Sequence, residues 1–360
     1  MNTSLWPSLV NVAAPAACAA LTALLATRWA SRAGWVDGGS GAHKRPGEHF
    51  PMTGGPALLV GALCVWALMA WWGREQALFV PGRALALLLG SVVGHEVTLW
   101  PFGALLTAFA VGAIDDGLRD GLTPALKLVG QAACGVVLAA PLLFGSSLRA
   151  EEIALGVALV AATLVVLNVV NTFDHADGAA LAIGVLGLAH SAPPFAAALA
   201  ALAPFNLRRD SARPWGRKAI LGDSGSHALG LLILVTPAAW PALVLPALDL
   251  ARVCLGRARA GWPLWRGDRS HLAHRLARSG RSSRWIAAAL ALLAAPAALL
   301  PLAHPLWGAL AGAVLTAAGM ALALRAAPPE LDPPQIALDV RGEMAREGAD
   351  ATAVARSGVR

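Results

Sequence analysis

The sequence predicts an all-α, polytopic helical membrane protein of about 11 transmembrane helices, and three observations carry that prediction. Hydrophobic residues make up 57% of the chain and charged residues only 14%, where a soluble domain of this size carries about a quarter. The apolar residues fall in runs of roughly 17 to 22, the length that crosses about 30 Å of hydrocarbon. The Lys and Arg residues gather in alternate loops, as they do when cytoplasmic loops set the orientation of a membrane protein. Closed helices are the expected spanning form, because the runs lack the alternation of a barrel strand.

Span one is expected over about 5–26 and is followed by a polar loop, Thr27 to Thr53, with Arg28, Arg32, Lys44 and Arg45. The first run lacks a basic leader and precedes many others, so it reads as a retained span. Span two, about 54–72, opens on Gly54-Gly55 and ends in the Trp71-Trp72 belt. The apolar piece Ala84 to Val93 is too brief to cross and reads as re-entrant or interfacial. Span three, about 98–114, delivers Asp115 and Asp116. Spans four and five are expected at about 128–145 and 152–170, and short spans six and seven at about 178–190 and 193–207, with a break at Pro193-Pro194. Spans eight and nine follow at about 224–239 and 241–256, and spans ten and eleven at about 285–302 and 305–325. The chain thus divides into an integral membrane domain, 1–325, and a Pro- and charge-rich tail, 326–360, expected to be disordered.

Loops 27–53, 115–127, 208–222 and 252–284 hold 4, 2, 5 and 9 Lys and Arg residues, and 325–360 holds 5, so that 25 of 28 fall on one side. That side is expected to be the cytoplasm, with the N-terminus outside and the C-terminus inside. The net charge of +7 is distributed among loops, not along a stripe with interleaved aromatics, and this argues against nucleic acid. Cys18, Cys64, Cys134 and Cys254 lie scattered in apolar runs without metal-type spacing. Neither a disulfide nor a zinc site is expected.

The same parity collects the unusual polar residues on the cytoplasmic side: Lys44 with Gly54-Gly55, Asp115-Asp116 with Lys127, Asn168 to Asp177, Asn206 with Lys218 to Ser226, and Asp268 to Arg275. Placement at helix ends avoids the cost of a mid-bilayer charge and needs no function to explain it. Packing does not explain the residue types. Acids suit a hard divalent ion and lysines suit phosphate, so the implied ligand is a metal-bound phosphate or diphosphate. Asp115-Asp116 taken alone reads first as a solvated helix end, and its chemistry depends on what gathers beside it. Gly222-Asp223-Ser224-Gly225-Ser226 opens span eight, where freed N–H groups and the helix dipole favour phosphate; a plain N-cap with a tight packing entry is the competing reading. Lys127 and Gln131 share a helix face and can simply snorkel. His271 and His274 also share a face; they suit zinc, phosphate or solvent, and the lack of a Cys or third His nearby disfavours zinc.

Taken together, the motifs resemble the polyprenyl-phosphate N-acetylhexosamine-1-phosphate transferases, which include the undecaprenyl-phosphate GlcNAc-1-phosphate transferase and the phospho-MurNAc-pentapeptide transferase. The matches are Val36-Asp37 with Lys44 and Pro51…Gly54-Gly55; Gly112-x-x-Asp115-Asp116 with Lys127 and Gln131; Asn168-x-x-Asn171-x-x-Asp174-x-x-Asp177-Gly178; Phe205-Asn206 with Lys218-x-x-x-Gly222-Asp223-x-Gly225-Ser226; and Asp249 leading to Asp268-Arg269-x-His271-x-x-His274. They cover about residues 35–285 in order, and the GlcNAc-1-phosphate transferase branch is the nearer match.

The resemblance implies cytoplasmic active-site loops and transfer of a sugar-1-phosphate from a UDP-N-acetylhexosamine to undecaprenyl phosphate. UMP is released, Mg²⁺ is required and Mn²⁺ is an alternative. It implies a multi-pass protein of the bacterial inner membrane that begins a cell-envelope glycan such as lipopolysaccharide O-antigen, and it leaves a homodimer open. In family terms Asp223 is the metal ligand, and Asp115 and Asp116 deprotonate or position the lipid phosphate. His271 is placed with them as catalytic. Lys44, Lys127, Asn168, Asn171, Asp174, Asp177, Asn206, Lys218 and His274 are placed on substrate. Covalent attack by an Asp and direct attack by lipid phosphate both stay open.

Departures fall around the donor pocket. The usual Asp-Gly-x-Asp-Gly is Asp174-His175-Ala176-Asp177-Gly178, a histidine of the last motif is Ala273, and one in the first loop falls on Pro46. They bear on which sugar is used. A transporter or lipid flippase is the alternative class, but such proteins place ionisable groups near the midplane on broken helices. A catalytically altered paralogue that binds the lipid carrier is the other alternative.

Overall fold

The computed structural model describes residues 5–33, 51–71, 99–118, 121–144, 149–174, 177–207, 219–265 and 269–327. Among these the chain is all-α, apart from an isolated bridge at Pro51. In chain order the helices are α1 (Leu5–Ala33), α2 (Gly54–Trp71), α3 (Leu99–Gly117), α4 (Pro124–Leu143), α5 (Ala150–Phe173) and α6 (Ala179–Leu188). Then come α7 (Pro193–Asn206), α8 (Gly222–Leu234), a 3-10 turn (Pro237–Leu243), α9 (Val244–Arg259), α10 (Leu272–Arg278), α11 (Ser283–Ala303) and α12 (Pro305–Ala326). The piece Ala84 to Val93, Lys44, Lys218 and the tail beyond Ala327 lie outside the described residues.

Local chemistry explains many of the ends. Pro124 sits where a helix needs no N–H, and Thr123 Oγ1 before it accepts from the Leu126 N–H. Ser282 and His304 cap α11 and α12 in the same way. Among the described residues, six segments are long and apolar enough to cross a membrane: Leu9–Ala33, Pro124–Leu143, Ala150–Phe173, Pro237–Arg259, Ser283–Ala303 and Pro305–Ala326. The protein is therefore an all-α, multi-pass membrane protein.

The expected spans six to eight are shorter in the structure. Helices α6, α7 and α8 have 10, 14 and 13 residues, or roughly 15–21 Å at about 1.5 Å per residue. Helices α6 and α7 form a hairpin that leaves and returns to one end of the bundle. Asn206, at the end of α7, receives the Gly178 N–H that opens α6 and gives its own amide N–H to Ala219 O. The loop between α9 and α11 contains one helix that periodicity did not anticipate, the seven-residue α10.

The centre of the bundle is α8. Every residue from Ser224 to Leu234 is buried, as a helix must be when its whole circumference is apolar or small. It is surrounded by α2, α3 and α5. Close approach depends on missing side chains: a Cβ on Gly112 of α3 would overlap the Asp223 and Ser224 main chain, and one on Gly55 of α2 would overlap Ser224 and Gly225. Two main-chain bonds, Ile220 N–H to Pro51 O (3.1 Å) and Gly54 N–H to Ile220 O (2.9 Å), tie the start of α2 to the start of α8. The C-terminal ends of α3 and α5 and the N-terminal ends of α2, α4 and α8 therefore meet at one end of the bundle.

Gly112→Ala is expected to separate α3 from α8 and lower the thermal unfolding midpoint in detergent, at a cost of about 1–3 kcal/mol for overpacking. Gly117→Ala, five residues along the same helix with nothing within 4 Å of the added methyl, is expected to leave the midpoint unchanged.

Candidate active site

At this end of the bundle the two adjacent acids of α3 face different partners. Asp116 turns onto the start of α8. Its Oδ1 accepts from the Asp223 N–H at 2.8 Å, and its Oδ2 accepts from the Ser224 N–H at 3.0 Å and the Ser224 hydroxyl at 2.7 Å. The residue before α8, Leu221, offers no side-chain cap. Asp116 supplies that cap from another helix, and its negative charge lies at the positive end of the α8 dipole. The sequence left these N–H groups open to a substrate phosphate or to a capped, tightly packed helix entry; the structure gives those of Asp223 and Ser224 to Asp116. Asp116 lies past the apolar run of α3. Burial, then the nearby Asp223 carboxylate, push its carboxyl up to about 6 against the pull of its α8 donors, which leaves it ionised at neutral pH.

Asp115 points the other way. Its Oδ1 accepts from the Leu122 N–H at 2.7 Å, which folds the α3–α4 turn back on itself, and its Oδ2 receives the Lys127 ammonium at 3.4 Å. The same ammonium is ion-paired with Asp223 Oδ2. Asn171 of α5 completes the group: with its amide assigned so that the nitrogen meets the Asp223 carboxylate and the oxygen meets the ammonium, as donor and acceptor types require, it donates to Asp223 Oδ1 at 3.0 Å and accepts from Lys127 Nζ at 3.1 Å. Four helices thus each bring a residue to one point. The cluster is open to solute, since the side chains of Asp115, Lys127 and Asp223 keep 16%, 20% and 23% of their exposure.

Asn168 lies one turn below Asn171 and donates to Gln131 Oε1 at 2.6 Å. It belongs to a layer under the cluster. Asp174 ends α5, and Asp177 sits on the turn into α6; both are half-buried, on the same end of the bundle. Asn206 is buried with both ends of its amide on main-chain atoms, Gly178 N and Ala219 O. It shapes the loop that carries Asp177 and the strand-like link to α8.

His271 and His274 belong to a neighbouring unit built on α9 and α10. The Asp249 carboxylate, only 1% exposed, accepts from His271 Nδ1 at 3.0 Å, from the Leu272 N–H at 3.1 Å and from Arg252 at 2.9 Å. It fixes the His271 ring and caps α10 at once. Leu272 and Leu276 of α10 pack with Phe173 and Ala179, beside Asp174. The sequence reading named Asp249 only as a lead-in to the last motif. The residue it missed altogether is His227, fully buried four residues after Asp223 on α8. The signal was available: a histidine at i+4 from a candidate ligand, inside an otherwise apolar helix.

The acids, amide and ammonium can bind phosphate and a hard cation. Among the described residues no three His, Cys, Asp or Glu side chains converge as a metal-binding group. Asp223, Asp115 and the Asn171 amide oxygen nevertheless supply the donor type Mg²⁺ prefers. Mg²⁺ characteristically takes one or two carboxylates and fills its remaining positions with water and substrate phosphate. The residues present fit such an ion.

Fold and site therefore define a membrane-embedded helical protein with a cluster of acids, an amide and an ammonium at one end of its bundle. No family model matches the chain. Over 293 residues it is 26% identical to a decaprenyl-phosphate N-acetylglucosaminephosphotransferase of Mycobacterium leprae (strain TN), an alignment that covers 65% of this chain and 68% of the relative. That relative is of the family the motifs resemble, so motif order and a similarity over 65% of the chain agree.

The two acids are expected to separate in a stability measurement. Asp116→Ala removes the α8 cap and should cost roughly 3–6 kcal/mol, since bonds to a charged group contribute about 1.5–3 kcal/mol each and two N–H groups lose their partner. Asp115→Asn keeps an acceptor for Leu122 and should shift unfolding by less than about 1 kcal/mol. Thermal denaturation of the two purified variants in detergent checks both.

Proposed function

We propose that the protein transfers an N-acetylhexosamine-1-phosphate from a UDP-linked sugar to undecaprenyl phosphate at the cytoplasmic face of a bacterial inner membrane. The products are an undecaprenyl-diphospho-sugar and UMP, the first committed intermediate of a cell-envelope glycan. The observation that carries the reading is the convergence of Asp115, Asn171 and Asp223 on the Lys127 ammonium at one end of the bundle. The relative's name supports the same chemistry. The loop charges support an N-terminus outside, a C-terminus inside and about 11 crossings.

In the direct form of the reaction, an oxygen of the lipid phosphate attacks the β-phosphorus of the UDP-sugar. The bond from that phosphorus to the bridging oxygen breaks, and UMP leaves with the bridging oxygen. Asp115 is the acid that faces the open side of the cluster, so it takes or holds the proton of the lipid phosphate. Lys127 balances charge on the diphosphate as it passes to the leaving UMP. Asp223, with Asp115 and Asn171 beside it, would hold Mg²⁺, or Mn²⁺ in its place; the ion would neutralise phosphate charge and orient the diphosphate.

Asn171, Asp174 and Asp177 are assigned to the sugar-nucleotide side, on the α5–α6 turn. Asn168 and Asn206 act on substrate through the helices and loop they hold. His271, its Nδ1 fixed by Asp249, meets a substrate phosphate through Nε2, with His274 on the next turn. Lys44 and Lys218 are assigned to substrate phosphates on the motif match alone. His175, Ala176 and Ala273 stand where the family pattern differs, and the choice of sugar is read from a substrate panel.

Membranes containing the protein, incubated with radiolabelled UDP-GlcNAc, undecaprenyl phosphate and Mg²⁺, should release UMP and form a labelled lipid. Asp223→Ala should abolish both, and Asp115→Asn should lower turnover at least about tenfold, the scale of a general acid–base contribution. EDTA should stop the reaction and Mg²⁺ restore it. Failure to form product with any UDP-N-acetylhexosamine overturns the reading.

A further inference from the structure

Beneath the open cluster lies a second layer, Gln131, Asn168 and His227, in which Asn168 is half-buried and the other two are enclosed. Gln131 and His227 have no exposed surface. His227 Nδ1 is 2.6 Å from the Asp223 carbonyl oxygen, and His227 Nε2 is 2.9 Å from Gln131 Nε2. Gln131 Oε1 accepts from Asn168 Nδ2 at 2.6 Å, and the same amide nitrogen donates to Leu164 O at 2.8 Å. These contacts admit one assignment of protons. A carbonyl can only accept, so His227 Nδ1 carries hydrogen. Gln131 Oε1 is already an acceptor, so its nitrogen donates to His227 Nε2, which is bare. The result is a directional chain, Asn168 to Gln131 to His227 to Asp223 O, with the imidazole neutral and in a single tautomer.

The two layers correspond residue for residue. On α4, Lys127 is above Gln131 at i−4; on α5, Asn171 is above Asn168 at i+3; on α8, Asp223 is above His227 at i−4. Residues so spaced share a helix face. The lower three therefore fix how far each helix is rotated and advanced against the other two, and the upper three inherit that alignment. An apolar trio would satisfy packing there without specifying rotation, whereas hydrogen bonds in an enclosed site lose heavily when misaligned.

We propose that His227 is a positioning residue for the cluster above it: through Gln131 and Asn168 it sets the rotation of α8 against α4 and α5, and so holds Asp223 and Asn171 on Lys127. This rests on the reading of that cluster as the transferase site, but its geometry is measurable without transfer. The chain has three lysines, Lys44, Lys127 and Lys218, and an ion-paired ammonium resists acylation because only the neutral amine reacts.

The test is acetylation of the purified full-length protein with N-hydroxysuccinimidyl acetate, followed lysine by lysine with mass spectrometry, alongside steady-state transfer. In His227→Leu and Gln131→Met, Lys127 should react at least about fivefold faster as it loses Asp223, with Lys44 and Lys218 unchanged. His227→Gln, whose amide again offers a donor and an acceptor, should return Lys127 to within about twofold of wild type. The kcat of His227→Leu should fall about tenfold or more at a KM for undecaprenyl phosphate within about twofold, the pattern of a misplaced reacting group. Unchanged Lys127 labelling in both His227→Leu and Gln131→Met overturns the proposal. So does equal acceleration of all three lysines, which would mean general loosening. A wild-type protein that shows the labelling pattern but transfers no sugar overturns the functional reading and leaves the positioning role standing.

Discussion

The structure depends first on the bond between Asp116 and the start of α8. A helix buried on every side cannot satisfy its first N–H groups with water, and Leu221 gives α8 no cap of its own. A carboxylate brought from α3 meets the Asp223 and Ser224 N–H groups and the Ser224 hydroxyl together. This requires α3 to lie almost against the α8 backbone, which is why Gly112 stands where any side chain would collide, and why a Cβ on Gly222 (φ +70°) would overlap the Asp116 carboxylate. Asp223 begins α8, so whatever places the helix start also places that side chain. The cap and the site are one piece of geometry.

From that anchor the alignment passes sideways through side chains, not through loops. The 3.6-residue period places a polar residue of α4, α5 and α8 in each of two successive turns, an inner layer and an open one. Buried polar groups in an apolar bundle are costly unless partnered, and each of Gln131, Asn168 and His227 has a partner on another element or on its own helix backbone. Asp249 repeats the principle on the neighbouring unit, where one buried carboxylate fixes both the His271 ring and the first N–H of α10. Rigid helices thus determine the positions of residues whose motifs look, in sequence, like features of loops.

The helices were legible in the sequence because lipid demands long apolar runs: α4, α5, α11 and α12 begin and end within a few residues of expectation, while α1 continues past its expected end near residue 26 to Ala33. The short elements were less so. Helices α6 and α7 carry no length signal, and the Asn206 ties that make them a hairpin join residues 28 and 13 apart. Asp115, Lys127, Asn171 and Asp223 were legible as chemistry, and the structure brings all four together. The difference between Asp115 and Asp116 was not. Two adjacent acids look alike in a sequence, and only the approach of α8, more than 100 residues later, makes one a cap and the other an open carboxylate. His227 escaped notice for the opposite reason: a lone histidine in an apolar helix is ordinarily read as core, and its partners lie on two other helices.

Charge decides what the open layer can accept. Two carboxylates, Asp115 and Asp223, share one ammonium, Lys127, so the open layer carries more acid than base while the ligand implied by its motifs is a diphosphate. Asp116 is balanced by the donors of α8. A diphosphate arriving alone would face two carboxylates across a single ammonium, at a spacing where opposite and like charges interact by several kcal/mol near a protein surface. A divalent cation reverses the balance, because it can be held by the carboxylates on one side and the phosphate oxygens on the other. Lys127 then becomes available to the phosphates. Under the proposed function, the Lys127 ion pairs hold Asp115 and Asp223 in place, and a cation and a diphosphate would exchange partners with the ammonium before transfer.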